Sequence, residues 1–182
     1  VATGLTLDSS YFVRGDSVVC ELTPDDGVEA GAAVTSTPAL IGNALPGIDS
    51  LSLSSITPVR GDTLSATISA GDADGDVISY AYQWLVNGAN GGSGETMDLA
   101  GLMPGDQVQL QLTPSDGTGA GAATLSDVAV VRNQSPLVDQ LVLTPANPYT
   151  GDGIEIVYSV SDADGDTVSS SVQWSINGVV VS

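Results

Sequence analysis

Apolar and polar residues alternate along this chain in short runs, broken by glycine, proline and aspartate about every 8–12 residues. The cleanest run lies after residue 77, where Ile78, Tyr80, Tyr82, Trp84 and Val86 fall on one face. A second copy is sharper still. Val168, Val172, Trp174 and Ile176 alternate there with Thr167, Ser169, Ser171, Gln173 and Ser175. A period of two with one apolar and one polar side predicts antiparallel strands with one buried and one wet face. The same reading predicts strands over Ile48–Leu53, around Leu64, Ala66 and Ile68, at Met97–Leu99, over Val108–Leu112 and over Ala122–Val131. Pro58–Asp62 is a predicted turn, and Asn87-Gly88 is suited to closing a hairpin. No helical period competes with this pattern.

The pattern recurs. Asp72 and Asp162 stand 90 residues apart, as do Trp84 and Trp174, Asn43 and Asn133, and the Gly-Asp pairs at 15–16 and 105–106. Pro24-Asp25-Asp26-Gly27 returns as Pro114-Ser115-Asp116-Gly117. The expected organisation is one complete repeat, 47–136, between the second half of a repeat, 1–46, and the first half of another, 137–182. On this reading the chain is a window cut from a longer array, or a subunit whose end completes the start of the next. Val1 in place of an initiator Met favours a processed or excerpted chain. Trp84 and Trp174 are expected in the core. Cys20 aligns with Leu110, between Val18 and Leu22, and is expected to be a small buried hydrophobe rather than a reactive thiol.

The chemistry lies in Asp72-Ala73-Asp74-Gly75-Asp76 and its copy Asp162-Ala163-Asp164-Gly165-Asp166. On a tight loop, three alternating carboxylates can turn towards one point. Two of them about 5 Å apart repel by about 3 kcal/mol at an effective dielectric of ~20. A bland acidic turn in water is the competing reading. Recurrence of the cluster at a fixed interval argues instead for a bound cation. Oxygen donors without nearby His or Cys select a hard ion, Ca²⁺ above all. The loop is not an EF-hand, because positions six and twelve from Asp72 are Val77 and Gln83 rather than Gly and Glu.

Composition narrows the partners. The chain of 182 residues carries 22 acidic and 3 basic residues, a net charge of −19, with no His. The cations are Arg14, Arg60 and Arg132. Such a balance argues against nucleic acid and anionic membrane surfaces. Asp far outnumbers Glu, which fits turns and short-armed metal ligands better than a salt-adapted surface. No run is apolar enough to span a membrane, and no segment reads as a signal peptide. With one Cys, no disulfide can form within the chain. Catalysis lacks its usual groups, since His and Lys are absent and Cys20 is expected to be buried. A paired-carboxylate glycosidase is not supported, because the acids cluster by repeat and not around one cleft.

Seven short strands in about 90 residues, a Trp on the third and no helix point to an immunoglobulin-like sandwich. With Asp-Ala-Asp-Gly-Asp after the second strand, Tyr82-Gln83-Trp84 with Asn87-Gly88, Pro114-Ser115-Asp116-Gly117 and Asn133-Gln134-Ser135-Pro136, the whole chain resembles the tandem immunoglobulin-like or cadherin-like repeats of large bacterial surface and secreted proteins. The resemblance implies an extracellular, calcium-stabilised structural module of a filament or surface stalk. The alternative it leaves is a ligand-binding module of a large adhesin. A binding module should show an exposed aromatic platform or a repeat-specific insertion, and only the Gly-rich stretch Ala89–Gly94 offers anything of that kind.

In such a sandwich the loop holding Asp116 lies at the same end as the first acidic loop. Asp116 is therefore the expected partner of Asp72, Asp74 and Asp76, with Asn43 in the linker adding an oxygen. Asp16 is placed to bridge from the preceding repeat. By the same logic Asp162, Asp164 and Asp166 would be joined by Asn133, Asp62 or Asp106, and would meet Asp26 of a following unit. The expected partners are neighbouring copies of the repeat, head to tail, rising about 40 Å each. Two Arg-Gly-Asp triplets, 14–16 and 60–62, invite an integrin reading. What repeats, though, is Gly-Asp, which marks a turn.

Overall fold

The computed structural model describes residues 4–181. Among the described residues regular structure is all β, apart from one 3₁₀ turn, Ser9–Tyr11, whose first residues are capped by Asp8. In chain order the strands are β1 (Ser17–Val18), β2 (Glu21–Leu22), β3 (Val34–Thr35), β4 (Ala39–Leu40), β5 (Gly47–Leu53), β6 (Thr63–Gly71), β7 (Ser79–Val86) and β8 (Ala89–Gly92). They continue as β9 (Thr96–Asp98), β10 (Gln107–Ser115), β11 (Thr124–Leu125), β12 (Ala129–Val130), β13 (Leu137–Thr144), β14 (Glu155–Ser161), β15 (Ser175–Ile176) and β16 (Val179–Val180). None of the described residues forms a helix long and apolar enough to cross a membrane.

The strands pair as several antiparallel sheets. One runs β5-β6-β9, and another runs β11-β10-β7-β8 with β12 also on β10. β1 pairs with β4, β2 with β3, β13 with β14 and β15 with β16. β7 and β8 form the expected hairpin. Its corner residues, Asn87 and Gly88, have φ of 51° and 79°, the left-handed pair a type I′ turn requires.

By internal contacts the chain divides into two compact units. One holds Val1–Ser52, Ala66–Gln83 and Leu110–Ser126; the other holds Leu53–Ser65, Trp84–Gln109 and Asp127–Ser182. Among the described residues the buried apolar side chains all come from the middle of the sequence. They are Leu64 on β6, Trp84 on β7, Leu99, Val108, Leu110 and Leu112 on β10, then Ala129 and Val131. Pro46, Pro58 and Pro114 are also buried. Burying a Leu or Val side chain is worth roughly 1.5–3 kcal/mol, so β10, with every second residue inside, is a major apolar contributor. Trp84 satisfies its one polar atom by donating its indole N–H to Gly94 O at 2.9 Å.

Four expectations change. Trp174, expected in the core, is only half-buried. The run 122–131 is two short strands, because Ser126 interrupts it. The Ser126 hydroxyl accepts the Leu110 N–H at 3.0 Å, and the Ser126 N–H donates to Leu110 O at 2.8 Å. A side-chain oxygen thus takes a place in the ladder. Along 167–176 only Ser175–Ile176 is a strand. Cys20 is exposed, not buried. Its surroundings still repeat the geometry 90 residues on, since Cys20 N–H donates to the Ser36 hydroxyl and Ser36 N–H to Cys20 O.

Candidate metal centre

The loop after β6 is folded by its own first aspartate. Asp72 Oδ1 accepts the N–H of Asp74 at 2.8 Å and of Asp76 at 3.3 Å, while Gly75 N–H donates to Asp72 O. Gly75 takes φ of 76°, which lets the chain reverse so that residues 72, 74 and 76 face one side. One carboxylate oxygen from each of Asp72, Asp74 and Asp76 lies within 4.8 Å of the others, and all three residues are half-buried. Among the described residues no other group of three brings its ligand atoms this close.

The surrounding shell is dense. Asp74 Oδ2 accepts the Ala44 N–H at 2.7 Å. Asp76 is held by the Arg14 guanidinium in a two-armed pair, one arm to Oδ2 and the other to Oδ1 at 3.0 Å. The same guanidinium donates to Asn43 Oδ1 and lies 3.9 Å from Asp74. Asn43 in turn donates its amide to Asp116 Oδ2 at 2.7 Å. Asp116 is thus joined to the cluster through Asn43 and Arg14. Its other oxygen folds its own turn by accepting the N–H of Thr118 and Gly119. These bonds, the one from Asn43 foremost, hold the Asp116 carboxyl below the usual range, and Asp76 raises the Arg14 pKa above its ordinary value.

Charge and satisfaction both leave room for a cation. Of these four carboxylates, Asp76 and Asp74 lie within ion-pair reach of the single guanidinium. Asp72 Oδ2 is buried and has no hydrogen-bond partner. A buried carboxylate oxygen without a partner is costly, and a metal ion would both satisfy it and relieve the repulsion. All the donors are oxygens, which suits a hard divalent ion.

The second loop repeats the scaffold. Asp162 Oδ1 accepts the N–H of Asp164 at 2.9 Å and of Asp166 at 3.2 Å, and Asp164 Oδ2 accepts the N–H of Gln134. Asn133 donates its amide to Gln134 O, as Asn43 does to Ala44 O. Asp164 is only 2% exposed and its Oδ1 has no partner. The guanidinium differs. Arg60 donates to the main-chain carbonyls of Asp164 at 2.9 Å and Ala100 at 3.0 Å, not to a carboxylate, and Gln134 returns a bond to Arg60 O.

Other candidates serve their own turns. Asp16, Asp62 and Asp106 each accept the N–H of the residue three before them, Val13, Val59 and Met103 respectively. Asp106 also accepts the Asn87 amide, and these bonds, that from Met103 first, lower its pKa. Asp26 accepts the N–H of Val28 and Glu29, which lowers its pKa too. Both Arg-Gly-Asp triplets are therefore turns stapled by their aspartates. Sequence reasoning missed the arginines. Two of the chain's three cations end on the two acidic loops, and their scarcity was the available signal. No protein-family model matches this chain, and no curated protein is similar enough to it to count as a relative.

Proposed function

We propose that this chain is a calcium-stabilised structural module, built of immunoglobulin-like repeats of about 90 residues, in an extracellular bacterial filament or surface stalk. Repeats follow one another head to tail, and the module acts as a spacer without catalysis. The observation that carries the reading is that one carboxylate oxygen each of Asp72, Asp74 and Asp76 lies within 4.8 Å of the others, in a loop where a buried Asp72 oxygen has no hydrogen-bond partner. Recurrence supports it. Left-handed φ values recur at the same spacing, at Gly15 and Gly105, Gly27 and Gly117, Gly61 and Gly151, and Gly75 and Gly165. The Asp72 and Asp74 hydrogen bonds recur at Asp162 and Asp164. Ca²⁺ would be held by the three aspartates of the first loop, where it would offset the like charge and fix residues 43–44 against the loop.

The test is thermal unfolding with calcium and with excess chelator. A site filled at 100 times its dissociation constant adds about 2.7 kcal/mol, so chelation should lower the melting temperature and Asp74→Ala should abolish the difference. Mg²⁺ should restore little, since it demands a tighter octahedron. A melt that ignores the chelator removes the reading. Electron microscopy of the native material should show filaments.

A further inference from the structure

The two acidic loops share a backbone but not a charge balance. Each is folded by its first aspartate, and each turns at a glycine in the left-handed region, Gly75 at 76° and Gly165 at 84°. In the first loop a guanidinium reaches the carboxylates, because Arg14 pairs with Asp76 and lies 3.9 Å from Asp74. Ninety residues on from Arg14 stands Pro104. The two positions sit in matching turns. Gly15 and Gly105 have φ of 90° and 95°, and their N–H groups donate to Ile41 O and Val131 O. Asp16 and Asp106 staple the two turns alike. Pro104 brings no charge, so the second loop lacks the counter-ion of the first. Arg60 does not replace it, since it donates to the main-chain carbonyls of Asp164 and Ala100.

The second loop has instead a carboxylate taken out of water. Asp164 is 2% exposed, whereas Asp74 is half-buried. Asp164 Oδ2 accepts the Gln134 N–H, and Oδ1, the other arm of the same carboxyl, is buried with no hydrogen-bond partner. Asp164 N–H is held on Asp162 Oδ1, the bond that in the first loop helps turn Asp72, Asp74 and Asp76 to one side. A buried carboxylate oxygen is costly unless something positive meets it, and here no guanidinium does. We propose that the second loop is a divalent-cation site of its own, with Asp164 Oδ1 as its buried ligand and the carboxylates of Asp162 and Asp166 as its outer ones. The proposal rests on the calcium reading above and makes the two loops unequal. The second binds calcium more tightly, because no guanidinium competes for its oxygens and Asp164 is already desolvated. The exchange of Arg14 for Pro104 is what sets the difference.

The experiment is calorimetric titration of the 182-residue chain, stripped with chelator, with calcium chloride at fixed ionic strength. Expected are two classes of site, the tighter lost in Asp164→Asn and the weaker in Asp74→Ala. Swapping the turn residues tests the cause. Pro104→Arg should weaken the tighter class several-fold, and Arg14→Pro should draw the weaker class towards it. Amide exchange in the parent needs no variant. Calcium should slow the Gln134, Asp164 and Asp166 N–H groups at lower concentration than those of Ala44 and Asp74. Among the described residues, 137–181 contribute no side chain to the buried apolar core, so this site is read by binding and local exchange and not by the melt of that core. A titration that Asp164→Asn leaves unchanged overturns the proposal. So does exchange at residues 134 and 164–166 that ignores calcium, or a Pro104→Arg chain whose tighter class does not move. Failure of the first-loop reading shows separately, as a titration untouched by Asp74→Ala in which Asp164→Asn still removes the tight class.

Discussion

Arg14 is the residue that most changes the chemistry of the first acidic loop. It supplies a cation to Asp76 where the chain has almost none to give, and it competes for an oxygen that a metal would also use. Its replacement therefore has two opposed effects. Arg14→Ala should lower the melting temperature in chelator, because the repulsion loses its internal counter-charge, and should tighten calcium binding several-fold, because Asp76 is released. Calorimetric titration beside the melts separates the two; weaker binding in the variant would mean that Arg14 orders the site instead. Protonation acts in the opposite sense to metal. Asp26, Asp106 and Asp116 have folded-state pKa values below the ordinary 3.8, through main-chain N–H bonds at Asp26 and Asp106 and chiefly the Asn43 amide at Asp116. A depressed carboxyl contributes stability that is present above its unfolded pKa and is lost as pH falls through the folded one. Stability should thus be flat with respect to these groups near neutrality and fall below about pH 4. Melting across acid pH, at fixed chelator, would show it.

At the scale of the strand and loop, Trp84 and Gly121 are the informative positions. Trp84→Ala should cost roughly 3–5 kcal/mol, as for a fully buried aromatic, and a chain of marginal stability would lose cooperative unfolding. A variant that melts near the parent would put the indole outside the core. Gly121 answers a different question. A Cβ there would meet Pro46 O at 1.9 Å, a main-chain atom that cannot swing aside. Gly121→Ala should therefore push the 43–46 linker off the 114–121 turn and weaken the Asn43–Asp116 bond, lowering calcium affinity as well as stability. These elements were unequally legible in the sequence. β5, β6, β7, β9 and β10 were visible because one apolar face writes a period of two. The acidic loops were visible because their spacing and recurrence are local facts. Ser126 was hidden, since a Ser in an apolar run does not announce that its hydroxyl will join the ladder. Cys20 was misjudged because burial depends on what lies across from a strand, and alternation says only which side faces inward. Arg14 needed knowledge of which loops meet, which no local pattern carries.

Over the whole molecule, the question is whether calcium acts at a place or merely on a charge. A chain at −19 gains from any salt, since screening shortens the reach of its self-repulsion to about 8 Å at physiological ionic strength. Diffuse screening depends on ionic strength and not on which cation supplies it. A site depends on three carboxylate oxygens within 4.8 Å of one another, in a loop where a buried Asp72 oxygen has no hydrogen-bond partner. The two are separable by melting in sodium and calcium chlorides at matched ionic strength. If the acidic loop is a site, calcium should exceed sodium at low concentration and then saturate, and Asp74→Ala should bring the two curves together. Sodium should go on raising the melt slowly in both chains, because the rest of the negative surface is untouched by the substitution. Coincident curves in the parent would assign the acidic loops to solvent, and would leave Arg14 and Arg60 as the cations those loops are built to hold.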